Sequence, residues 1–126
     1  MVSVINEKLL PMNDYVVESS SDYHSGYIKY NNGTMIEWGE ATVTDAIQTA
    51  HGPMYRSANP QIVNFSEKFG VNYPLIFLTA QANLNLAYFS GFINNGIDGF
   101  QFYPVGLTAS SAATRYVKWL AIGRWK

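Results

Sequence analysis

The stretch SGYIKYNNGTMIEWG, residues 25–39, decides the fold class. Residues 27–30 and 35–38 read as strand-forming runs on either side of Asn31-Asn32-Gly33. Asn-Gly supplies the positive φ values that a tight hairpin turn requires. The stretch therefore predicts a β-hairpin. On its second arm Ile36 and Trp38 share one face, whereas beyond Gly39 the small and apolar positions shift to Ala41 and Val43. A β-bulge at Gly39 is the expected cause of that change of phase.

Downstream the pattern stays strand-like, with short runs punctuated by Gly, Asn and Pro. Residues 45–60 carry no regular period and read as a long exposed loop, a place where recognition residues gather. Val63, Phe65 and Phe69 mark one face of the next strand, and residues 72–74 turn the chain. Residues 75–82 and 86–93 are apolar on both parities. This is the signature of central strands covered on both faces, and Asn83-Leu84-Asn85 would connect them as a pair. Residues 94–99 form another turn ahead of Phe100 and Phe102, and residues 104–113 a second irregular stretch. The last strand, residues 115–125, is apolar on both parities around Trp119, which places the C-terminal segment in the core. About six to seven antiparallel strands in a domain of this size predict an all-β sandwich.

Upstream, Val2, Ile5, Leu9 and Met12 follow the a/d spacing of a coiled-coil seam, with Pro11 to end the helix. The serines and scattered acids of residues 14–25 read as a linker. The division expected is thus a short N-terminal helix and linker over residues 1–25 and a β-sandwich over residues 26–126.

The whole chain of 126 residues is long enough for one core and not two. Charged residues are 13%, about half the ~25% of an average soluble domain, while aromatic residues reach 15%. With so few charges and several strands apolar on both faces, a monomer with two solvated outer faces is a poor fit. A symmetric oligomer would cover the surplus. The formal net charge of -1 offers no basic footprint, so neither nucleic acid nor an anionic membrane surface is an expected partner. The opening residues lack the pattern of a signal peptide, and no apolar run reaches the ~18 residues of a membrane span.

Catalytic and cofactor patterns are sparse. There is no cysteine, and the two histidines, His24 and His51, lack the neighbours of a zinc site. There is no Gly-x-Ser-x-Gly elbow and no phosphate-binding glycine loop. No cofactor and no metal are expected. Glu37 and Glu40 are the only closely spaced acids on a predicted strand, and a glycosidase would need both in one cleft. The positive signal is aromatic residues beside amides and arginine, because a sugar ring stacks its CH face on Tyr or Trp while polar side chains take its hydroxyls. Tyr55 with Arg56 and Asn59, and Tyr103 with Asn83, Asn85 or Asn94, are the candidate ligand-binding combinations.

Two end motifs carry a family likeness. Residues 25–39 and the closing YVKWLAIGRWK, residues 116–126, resemble the C-terminal domain of tailed-bacteriophage tail fibres. Between them Val63-Asn64-Phe65, residues 74–80 and Gly99-Phe100 follow in the order those domains share with H-type lectins. The resemblance covers residues 26–126. It implies a homotrimeric receptor-binding tip of a tail fibre or baseplate, located in the virion and made in the host cytoplasm. It also implies that the tip recognises a bacterial cell-surface polysaccharide and joins other tail proteins through its N-terminus, where residues 1–25 would end a stalk. The lectin sugar site does not carry over. Its arginine is missing from residues 86–93, and of its second set of sugar contacts only Tyr103 remains.

The leading expectation is therefore a non-enzymatic adhesin. A purely structural trimerisation cap is the runner-up, and a glycan depolymerase built on Glu37 and Glu40 is the third reading.

Overall fold

The computed structural model describes residues 15–80 and 88–126. They form the strands β1 Val16–Ser21, β2 Gly26–Tyr30, β3 Thr34–Val43, β4 Ile47–His51, β5 Met54–Ser57, β6 Gln61–Asn64, β7 Leu75–Ala80, β8 Tyr88–Asn95, β9 Gly99–Gly106 and β10 Arg115–Arg124. One sheet runs β1-β2-β3-β10-β7. In the second, β9 is central: β8 covers one of its edges, while β6 and β5 share the other, with β4 outside β5. The all-β expectation holds, with ten strands among the described residues where six to seven were expected. The N-terminal helix expected before Pro11 lies outside the described residues.

The hairpin at 25–39 is present, closed by Gly33 at φ 99 and by the Asn32 side chain accepting from Thr34 N at 2.9 Å. The end of the chain straps this turn. Trp125 N donates to Gly33 O at 2.9 Å, the Trp125 indole to Tyr30 O at 2.8 Å, and Arg124 Nη2 to Asn32 O at 2.7 Å. The two end motifs of the sequence are therefore one structural unit.

The bulge expected at Gly39 is absent. The β3–β10 register runs without a shift from Arg115↔Val43 to Arg124↔Thr34. Residues 35, 37, 39 and 43 are buried, so the inward face carries Met35, Glu37 and Gly39 in place of Ile36 and Trp38. Across the sandwich, Met35, Val43, Val117, Trp119 and Ala121 meet Val63, Phe69, Phe100 and Phe102 in one core. Phe65 joins it, with ring centroids 5.1 Å from Phe69 and 5.6 Å from Trp119, the spacing at which aromatic rings pack edge to face or tilted.

Three further expectations change. Residues 16–21, read as linker, form an exposed strand. It is held by its ladder to β2 and not by burial of its own side chains. Residues 45–60, read as a loop, contain the β4–β5 hairpin, turned at Gly52 with φ 61 and Pro53. Residues 75–80 do not pair with the following strand: β7 lies against β10, and β8 against β9. Leu75 and Phe77 are 66% and 52% exposed, so β7 is an edge strand with one open apolar face.

Candidate functional site

Adjacent residues of a strand face opposite ways, and this separates the expected binding residues of β5. Tyr55 packs against the core, while Arg56 stands on the outer face of the second sheet. Arg56 pairs with Val105, and Tyr103 lies two positions along β9 on the same face. The guanidinium carbon sits 4.3 Å from the Tyr103 ring centroid, within cation–π range. Arg56 Nη1 donates to Ser57 O at 2.9 Å and Ala58 O at 3.3 Å. Its remaining N–H groups have no hydrogen-bond partner among the described residues, so the fork is oriented and still able to donate. Asn59 shapes the corner between β5 and β6, where its carbonyl accepts from Ser57 Oγ at 2.6 Å and Gln61 Nε2 at 3.4 Å. The structure thus joins Arg56 to Tyr103, sets Asn59 at the next corner, and turns Tyr55 inward. Asn83 and Asn85 lie outside the described residues.

The two acids of β3 occupy opposite faces. Glu37 is buried, and its Oε1 accepts from Ser66 N at 2.7 Å, Ser66 Oγ at 2.8 Å and Glu67 N at 3.3 Å. Burial pushes its carboxyl above the usual range, against the pull of these donors. Glu40 faces outward, where its Oε1 lies 3.7 Å from His24 Nδ1. The two carboxylates share no cleft. Among the described residues no group of three or more metal-ligating side chains occurs.

A second constellation was not read from the sequence. On the outer face of the first sheet lies a concavity of about 810 Å³, lined by Tyr23, His24, Trp38, Glu40, Tyr116 and Lys118. The turn between β1 and β2 presents the first two of these. Asp22 Oδ1 accepts from His24 N at 2.7 Å and Ser25 N at 2.8 Å, contacts that also hold its carboxyl below the ordinary value. Tyr23 and His24 meet edge to face at 4.7 Å. The signal for this site is the i, i+2 pairs Trp38/Glu40 and Tyr116/Lys118, which become one surface only once Lys118 is registered opposite Glu40 and Leu120 opposite Trp38.

No protein-family model and no curated protein matches the chain. Pyocin fibres are among the solved structures with a similar fold. The N-truncated R1-type pyocin tail fibre aligns over 98% of this chain and 96% of its own length, with TM-score 0.64 and 14% identity. A P. aeruginosa R1 pyocin fibre comprising C-terminal residues aligns over 85% of this chain, with TM-score 0.60 and 16% identity. An N-truncated R2-type pyocin tail fibre aligns over 87%, with TM-score 0.52 and 16% identity. The chain spans 28% of that R1 fibre structure and 39% of the R2-type one. At these identities the likeness is one of fold.

Proposed function

We propose that the chain is a receptor-binding domain of a phage or phage-like tail fibre or baseplate, a homotrimeric, non-catalytic adhesin for a bacterial cell-surface glycan. The observation that carries this reading is the shared fold along nearly the whole of both chains with the N-truncated R1-type pyocin tail fibre.

The surface supports it in two ways. Register sets Ile28, Ile36, Ile122 and Leu75 in one row across the outer face of the first sheet, and Trp38, Leu120 and Phe77 in the next. An apolar row of this length on an open face suits burial against further copies of the chain. On the other sheet, the Arg56–Tyr103 pair offers an oriented donor beside an aromatic ring, the combination that suits a sugar. Glu37 and Glu40, on opposite faces of β3, favour binding over hydrolysis. Residues 1–25 would lead to the other tail components.

The test is adsorption of the fluorescently labelled domain to a panel of bacterial strains before and after mild periodate oxidation of their surface polysaccharide. Binding to a subset of strains that periodate abolishes is expected. Binding that survives periodate and is lost on protease treatment of the cells would replace the glycan by a protein receptor, and no binding to any strain would favour a structural cap.

A further inference from the structure

The concavity of about 810 Å³ on the outer face of the first sheet combines features that the Arg56–Tyr103 surface lacks. It is a recess with aromatic rings on more than one side, from Tyr23 on the β1–β2 turn, Trp38 on β3 and Tyr116 on β10. Tyr23 is 94% exposed and Tyr116 40%, so both rings are open to a ligand. Between them stand one carboxylate and one ammonium, Glu40 and Lys118, placed opposite each other by the ladder. Lys118 makes no ion pair among the described residues, and the one cationic-capable partner that Glu40 has among them is His24, at 3.7 Å. The turn that carries Tyr23 and His24 is pinned by Asp22, so the wall is built before any ligand arrives. Trp38 ends the apolar surface of the same sheet on the Glu40 side, with Leu120 beside it and Ile36 and Ile122 on its far side, so the recess lies at the border of that surface.

We infer that this recess is a binding site for one neutral pyranose unit of a saccharide. The CH face of such a ring stacks on the aromatic walls, vicinal hydroxyls donate to the Glu40 carboxylate, and Lys118 donates to a hydroxyl or ring oxygen. Neutrality follows from the charges. One carboxylate and one ammonium facing each other balance, so the recess supplies no net charge to compensate a charged sugar. The inference deepens the adhesin reading and rests on it, and adds a sugar contact on a surface separate from Arg56 and Tyr103.

The probes are the methyl glycosides of glucose, galactose, mannose and N-acetylglucosamine, with glucuronate as the acidic control, each followed by saturation-transfer NMR on the full chain. Transfer to at least one neutral glycoside and not to glucuronate is expected. Tyr23→Ala or Glu40→Gln should weaken that binding at least tenfold with an unchanged melting temperature, whereas Ile62→Ala, at an exposed position of β6 on the second sheet, should leave it intact. Transfer that survives Tyr23→Ala and Glu40→Gln and disappears in Tyr103→Ala would overturn the inference, as would preference for glucuronate or no transfer from any probe. Periodate-sensitive cell binding in that last case would leave the adhesin reading standing while this site fell; its loss as well would remove both.

Discussion

Gly39 lies opposite Trp119 across the β3–β10 ladder, and a β-carbon at residue 39 would stand 2.6 Å from the indole Cζ2. The glycine is the space into which the largest core side chain fits. No Cβ makes that close an approach, so the pair is over-packed by a single methyl group. Gly39→Ala should cost about 1–3 kcal/mol and Trp119→Ala about 3–5 kcal/mol. Because removing the indole also removes the clash, the double variant should be more stable than the sum of the two losses predicts, a coupling that urea unfolding would measure.

Glu37 sets a pH dependence. Its folded-state pKa is raised above the ordinary 4.5, so the native state holds the proton more tightly than the unfolded chain. The stability tied to this group is fully present below that ordinary value and declines as pH rises through the raised one. Glu37→Gln cannot ionise, so its melting temperature should gain on wild type across that rise and stay level above it. A constant difference between the two proteins from pH 4 to pH 8 would contradict the burial argument.

Ser66 supplies two of the three donors to that carboxylate, from its amide and its hydroxyl. Hydrogen bonds to a charged group contribute about 1.5–3 kcal/mol, so Ser66→Ala, which keeps the amide donor, should lose about that much at a pH above the raised pKa of Glu37 and less where Glu37 is protonated. Chemical denaturation at two pH values tests both halves.

Tyr55 and Arg56 should part company when mutated. Tyr55→Ala removes a ring packed against the core and should destabilise the domain by about 1–3 kcal/mol. Arg56→Ala and Tyr103→Ala should keep the melting temperature and weaken binding to susceptible cells by about 1–3 kcal/mol, the range for losing an anchor residue.

The hairpin at residues 25–39 and the core position of Trp119 were legible because turn chemistry and a bulky apolar residue are local signals. The phase of β3 was not. A carboxylate is read as solvated, and the donors that let Glu37 go inside lie 29 residues away in sequence at Ser66. Strands β1, β4 and β5 were missed because they are held by backbone ladders with few buried side chains, so their sequences carry no alternation. The partners of β7 and β8 are set by long-range topology that no run of apolar residues encodes. At the candidate site, Arg56 and Tyr103 were legible as residue types, but their contact depends on the β5–β9 register, as the recess around Glu40 and Lys118 depends on that of β3 and β10.

The proposed trimeric assembly is tested most directly by the solution mass, measured by light scattering on the eluting peak. The account predicts a species of three times 14.1 kDa that Phe77→Glu, placed on the exposed apolar face of β7, converts to a folded monomer. A wild-type protein that elutes at 14.1 kDa at all concentrations would contradict it.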